Sequence, residues 1–250
     1  ADTFGAGHPI RSGRLDANLR VAGSGGGLSR PFVLGASGPF TAGDPGRMPR
    51  FALEFQFGPG APAAGLISTG KKGYLTLEGQ PFALAAATYE RMQRSYAASR
   101  SKDAAGGGRE RGGLAALGVD PGHWITGAKV AGGRDVSGTP TIHITGKVDV
   151  AALLGDVDRI LRRTGSLPRT AQTSGVPDRL DPKVRAAIER SVRDAAIEVD
   201  TGKKDHTLRR LQLRLRLAVA AADRALVGNL RALDLDLDVA LAQIGSRQAI

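Results

Sequence analysis

Apolar and polar residues alternate along most of the N-terminal third. In "GRLDANLRVAG", Leu15, Ala17, Leu19 and Val21 alternate with Arg14, Asp16, Asn18 and Arg20. This period of two predicts a half-buried strand, because successive strand side chains point to opposite faces. The glycines from Gly23 to Gly27 end it. A second strand fits Pro31 to Phe40, and "RFALEFQFG" predicts a third with Phe51, Leu53, Phe55 and Phe57 on one face. Another pair is expected at 64–69 and 73–83, joined by the turn "TGKKG", the latter carrying Leu75 and Leu77.

The period then lengthens. "ATYERMQRSYAASR" places Tyr89, Met92 and Tyr96 on one helical stripe, and the Gly-rich, charged segment 101–113 reads as a mobile loop. Residues 123–136 suit a strand with a turn at "GRDVSGT". In the next segment Ile142, Ile144, Val148 and Val150 share a strand face, with Thr141, His143, Thr145, Lys147 and Asp149 on the other. Asp149 can cap a helix whose stripe is Val150, Leu153, Leu154, Val157, Ile160 and Leu161. A further helix starts at the cap Asp181 and Pro182, with Val184, Ala187, Ile188, Ser191, Val192 and Ala195 on one face.

Strands return after that. "AIEVDTGKKDHTLRRLQLRLRLAV" predicts a hairpin around Gly202, with Leu211, Leu213, Leu215 and Leu217 alternating with Gln212, Arg214 and Arg216. "ALDLDLDVAL" sets Leu233, Leu235, Leu237 and Val239 against Asp234, Asp236 and Asp238. As antiparallel neighbours these two strands oppose an Arg row to an Asp row. Each exposed pair contributes only about 0.2–1 kcal/mol, but a wrong register loses the pairing, so the charges are read as structural. Strands in runs with few helices between them argue for an α+β fold, a curved antiparallel sheet with about three helices on one side. About ten strands twist enough to curl, which leaves a concave apolar space.

Composition narrows the chemistry. With no cysteine among 250 residues, disulfides, zinc–thiolate sites, iron–sulfur clusters and thiol nucleophiles are excluded. Aromatic residues make up only 4%, so leucine, valine and alanine must fill the core. The formal net charge of +11 comes mostly from scattered arginines, without the clustered lysines and interleaved aromatics of nucleic-acid binders. An anionic membrane surface suits it equally well, and nucleic acid is not the expected partner. The chain opens on Ala1, so an upstream piece, a secretion signal on this reading, is expected to have been removed.

Catalytic signatures are weak. "GSGGG" at 23–27 and "GGGRERGG" at 106–113 neither follow a buried strand into a helix nor end in Gly-Lys-Ser/Thr, so they read as turns rather than phosphate loops. His8, His123, His143 and His206 lack metal-ligand spacing and read as surface or network residues. No "GxSxG" elbow occurs. The carboxylates of "DLDLD" face an Arg row, which opposes the raised pKa a general acid needs. No enzyme, cofactor or metal is expected.

One likeness goes further. The segment "DVSGTPTIHITGKVD", with Asp135, Gly138, Thr139, Thr141, Gly146 and Asp149, matches a "D-x-x-G-T-x-T-x-x-x-x-G-x-x-D" pattern. The later hairpin, with Val199, Gly202, Lys203, Asp205, Leu208, Arg209, Arg210 and Leu211, matches "V-x-x-G-K-D…LRRL" with Lys204 inserted before the Asp. Over roughly residues 11–245 the chain resembles the LolA/LppX-type lipoproteins of bacterial envelopes, in particular their LppX/LprG-like actinobacterial branch. The resemblance implies a single domain over 1–250 (with a tail at 1–10), folded as a half-open β-barrel with helices on its concave face and an apolar cavity between. It implies an exported, monomeric, non-catalytic protein that carries or presents lipid or glycolipid, held at the membrane by a lipidated cysteine upstream of this sequence. The alternative is a structural or protein-interaction module of the envelope with a filled core.

On the carrier reading, the cavity lining is expected from the inward strand residues and the helix stripes. The strands give Leu19, Phe51, Leu53, Phe55, Leu75, Leu77, Ile142, Ile144, Leu213, Leu215, Leu235 and Leu237. The helices give Tyr89, Met92, Tyr96, Leu153, Leu154, Val157, Leu161, Val184 and Ile188.

Overall fold

The computed structural model describes residue 3 and residues 10–28, 30–43, 47–58, 64–105, 121–164 and 179–250. Six strands come first: β1 (Ser12–Gly25), β2 (Phe32–Thr41), β3 (Arg50–Phe57), β4 (Ala64–Thr69), β5 (Gly73–Leu77) and β6 (Gln80–Ala83). Helix α1 (Ala86–Ala105) follows, then a 3-10 turn at Pro121–Trp124 and the hairpin β7 (Ile125–Val136) and β8 (Thr139–Val148). Helices α2 (Val150–Thr164) and α3 (Pro182–Ser191) precede β9 (Val192–Gly202), β10 (Leu208–Ala218), a 3-10 segment at Ala221–Val227 and β11 (Leu230–Ala242).

All eleven strands form one antiparallel sheet in the order β6-β5-β4-β3-β2-β1-β11-β10-β9-β8-β7. Sequence neighbours pair throughout, except that the first and last strands meet in the middle. The sheet is open, with β6 and β7 as its edges. It also curls, since the β7–β8 turn residue Ser137 shares a cleft with Asp16 and Asn18 of β1, five strands along from β7.

The opposed charge rows set the alignment as expected. Arg216 lies opposite Asp234, Arg214 opposite Asp236 and Gln212 opposite Asp238. Arg216 reaches Asp236 at 2.9 Å and Asp234 at 3.3 Å, and Arg210 grips Asp238 through two hydrogen bonds. Slipping by one residue would turn every leucine of β10 to the polar side, so charge and burial specify the same register.

Tight turns explain where the strands stop. The 73–83 run is two strands, not one. Glu78 and Gly79 both take positive φ, 51° and 79°, between Leu77 and Gln80, which is the turn that two-residue hairpins favour. Ser137 and Gly138 repeat that geometry between β7 and β8, and the Asp135 carboxylate accepts from the Gly138 N–H at 2.7 Å. Helix α1 runs on to Ala105, into the segment read as a loop, because "ASRSKDAA" contains no breaker before Gly106. The rest of that expected loop, 106–113, lies outside the described residues, as does His8.

Both capped helices form as the sequence indicates. The Asp149 side chain accepts from the Ala152 N–H at 2.9 Å at the start of α2, and Asp181 accepts from Lys183 at 2.8 Å with Pro182 at the first helical position of α3. No helix among the described residues is long and apolar enough to cross a membrane.

Candidate functional site

The strand registers line up one apolar face across the whole sheet. One row runs Phe57, Leu34, Leu19, Leu237, Leu213, Ile197, each opposite the next on the neighbouring strand. The adjacent row runs Leu77, Ala64, Phe55, Ala36, Ala17, Val239, Leu211, Val199, Ile144. Charged residues stand on the opposite face, as period-two alternation requires.

Helices cover this face unevenly. Over β8 to β11, Trp124 and Leu153 pack with Val148, Ile197, Val199, Leu211 and Leu213 into one buried cluster, against which Val150 and Ala152 of α2 also rest. The Trp124 indole N–H donates to the buried Asp156 carboxylate at 3.1 Å, which pins α2 to the segment before β7. Over β2 to β6 the cover thins. Phe32 is 45% exposed, Phe57 54%, Leu77 47% and Phe82 55%, all on the apolar face or at its border. Isolated exposed leucines mean little, but a contiguous apolar border on a sheet does.

Helix α1 touches this open part through Tyr89, whose hydroxyl shares a 2.9 Å hydrogen bond with Ser68 Oγ. The ring lies where a side chain on Gly73 would be, since a Cβ there would meet it at 2.7 Å. Glycine on β5 is therefore what lets the helix approach the sheet. Tyr89→Phe removes the hydroxyl and leaves Ser68 its bond to the Pro49 carbonyl, so a loss of about 1 kcal/mol is expected, read in urea unfolding.

The residues expected to line a cavity divide accordingly. Leu19, Phe51, Leu53, Phe55, Leu75, Leu77, Ile142, Ile144, Leu213, Leu215, Leu235 and Leu237 all lie on the apolar face. Leu213 and Leu215 are buried under the helices, while Leu19, Phe51, Leu53, Phe55, Leu235 and Leu237 are half-buried and Leu75 and Leu77 exposed. Of the helix residues, Tyr89, Leu153 and Leu154 are buried, and Met92, Tyr96, Val157, Leu161, Val184 and Ile188 half-buried. The stripe expected to run from α3 into Val192 and Ala195 breaks at Ser191, where β9 begins.

The polar face holds a network that the strand pattern alone did not assemble. Asp200 is fully buried there and receives two hydrogen bonds from Arg134, at 2.7 and 2.6 Å, and one contact from His143 Nδ1 at 3.0 Å. Arg134 also donates to Gln212 at 3.2 Å, and Gln212 donates to Asp238 at 3.2 Å. His143 Nε2 stands 3.5 Å from Glu198. Hydrogen bonds to Asp200 raise the Arg134 pKa above its ordinary value against the opposing effect of burial. Hydrogen bonds to Asp238 do the same for Arg210. Two clefts of about 250 and 380 Å³ open on this face between those side chains. Their cations and carboxylates already satisfy one another, which suits a cross-strand brace rather than proton transfer.

The two motifs behind the resemblance are devices of the fold. Asp135 and Gly138 make the β7–β8 turn, Thr141 Oγ1 donates to the Arg134 carbonyl at 2.7 Å, and a Cβ on Gly146 would meet Ile125 at 2.8 Å. Gly202 lies against Asp205, where a side chain would collide with the carboxylate. Burial pushes Asp205 up, but hydrogen bonds from Thr207 and Arg209 outweigh it and hold its pKa below the ordinary value. The motifs meet in space, because Lys203 N–H donates to the Pro140 carbonyl at 3.0 Å.

Among solved structures, the chain is similar to LprF from Mycobacterium bovis over 100% of its own length and 92% of that chain, with 16% identity and a TM-score of 0.48. Lipoprotein LppX of Mycobacterium tuberculosis aligns over 96% and 90%, with 10% identity and a TM-score of 0.43. MucB in complex with periplasmic MucA aligns over 98% and 56%, with 8% identity and a TM-score of 0.27. No family model and no curated protein matches the chain.

Proposed function

We propose that this chain is an exported, non-catalytic envelope protein that binds lipid or glycolipid on the apolar face of its sheet and carries or presents it. The observation that supports the reading is the unequal cover of that face: deepest beneath α2 and Trp124 over β9 and β10, and ending in exposed Phe57, Leu77 and Phe82 toward β6. An acyl chain laid along the row from Leu77 through Phe55 to Ala17 would shield this surface from water. Ten methylenes removed from water contribute about 8 kcal/mol before the costs of ordering are subtracted. On this reading the sheet acts as a half-open barrel and α1, attached through Tyr89, is the element that can yield to admit a chain.

Mass spectrometry of organic extracts from the purified protein is expected to show a copurifying lipid. The stripped protein is expected to bind a fluorescent fatty-acid analogue saturably. Absence of both results would leave the chain as an interaction module with a filled core.

A further inference from the structure

An open sheet has two free edges, and a free edge offers unpaired backbone groups to any strand that meets it. Here the edges are β6 and β7. Both are exposed: every residue of β6, and residues 126–133 of β7, among them Val130 at 71%. Exposed Phe82 and Leu75 stand opposite one another at the β6 edge, so a strand added there would gain apolar contact as well as hydrogen bonds.

Register decides which backbone groups an incoming strand would meet. Across the two-residue turn at Glu78 and Gly79, Leu77 and Gln80 form a hydrogen-bonded pair. The Leu84 N–H, bonded to the Gly73 carbonyl at 2.9 Å, keeps the same phase. Gln80, Phe82 and Leu84 therefore turn their backbone groups toward β5, and Pro81 and Ala83 turn theirs outward. Proline has no N–H, so within β6 only Ala83 presents a donor to the outside.

On β7 the same phase, counted from the turn at Ser137 and Gly138, points the backbone groups of Asp135 and Gly133 outward. There the row is interrupted, because β7 sets 12 residues against 10 of β8. The extra residues form two bulges. Gly127 and Ala128 together face Gly146, and Ala131 has no opposite residue between the Val130–Ile144 and Gly132–His143 pairs. Gly127 and Gly132 take φ of 59° and 128°, which glycine adopts without strain, so the sequence itself encodes both bulges. An incoming strand would find Gly133 and Asp135 in regular array, then the bend at Ala131 and the exposed Lys129 beyond it. That is far short of the about five or six residues of an ordinary strand.

We infer that both free edges of the sheet are closed to strand addition, β6 by Pro81 and β7 by its two bulges. Neither a second copy of the chain nor an extended peptide then lengthens the sheet. This closure is independent of any lipid on the apolar face.

Hydrogen exchange followed by NMR on the wild-type chain, from micromolar to millimolar concentration, tests it first. The Ala83, Gly133 and Asp135 amides are expected to exchange like those of an unstructured peptide throughout, while Arg134, bonded to β8, is protected. Protection of the outward amides that grows with concentration overturns the inference. Two variants then open the edges. Pro81→Thr supplies the missing donor at an exposed position, and deletion of Ala128 with Ala131 leaves β7 matched to β8 residue for residue. Each is expected to tighten self-association by about tenfold in sedimentation, with outward amides of the altered edge newly protected. If either variant, folded by circular dichroism, associates no more than wild type, its edge was not closed by that device and the inference fails. Should the deletion prevent folding, wild-type exchange at Gly133 and Asp135 decides for β7.

Discussion

Replacing Arg134 by methionine is expected to destabilise the fold by about 2–3 kcal/mol, somewhat less than the loss of one partner from a fully buried ion pair. The asymmetry of the pair sets the size. The Arg134 side chain is 36% exposed and its own desolvation is small, but the Asp200 side chain is 1% exposed. Without Arg134 the carboxylate keeps His143 at 3.0 Å and loses both guanidinium hydrogen bonds. Methionine preserves the stem that packs along β7, so the loss reports the stranded charge. For a chain of this length the midpoint of thermal unfolding should fall by about 5–10 °C. Asp200→Asn placed in the same chain should restore more than half of that, because a neutral amide costs less to bury than an unmatched carboxylate. A shift under about 2 °C for Arg134→Met, or no recovery in the double variant, would show that the network braces nothing.

How much of this was legible in the sequence depends on the range of the signal. Alternation is local, so the strand faces of β1, β3, β10 and β11 could be read directly, and so could the opposition of an Arg row to an Asp row across β10 and β11. Cap chemistry is equally local, and Asp149 and Asp181 stand where their side chains require. The pairing of β1 with β11 was not legible, because nothing in either strand names a partner more than 200 residues away. The Asp200 site shows the same limit. Arg134, His143, Asp200 and Gln212 come from four neighbouring strands, and only the register of β7 to β10 brings them together. Trp124 carried a signal that went unused: a single tryptophan in a chain so poor in aromatics is a natural anchor, and here it ties α2 to the core. That the expected strand residues share one face of the sheet was legible, because face is a matter of parity. Which part of it lies under helices was not, since cover depends on where α1 and α2 settle.

Leu211→Ala is expected to have the largest effect of any single truncation, about 3–4 kcal/mol, lowering the midpoint by roughly 10 °C. Leu211 is fully buried in the covered row, between Val199 and Val239, with Trp124 and Leu153 in the same cluster. Strands on both sides and a helix above leave little room for collapse, so most of the deleted volume should persist as a cavity. Leu77→Ala removes the same atoms from the open end of that row, where 47% of the residue already meets solvent, and should cost under about 1 kcal/mol. Binding should divide the other way. Below its unfolding midpoint, Leu211→Ala should keep wild-type affinity for the fatty-acid analogue, since nothing at the open end has changed. Leu77→Ala, nearly as stable as wild type, should bind it several-fold more weakly, because roughly three methyl-sized contacts at about 0.8 kcal/mol each are partly lost. If both variants lose affinity in proportion to stability, the apolar face is a single core and not a floor open at one end. If Leu77→Ala weakens binding alone, stability and ligand contact lie at opposite ends of one row of side chains.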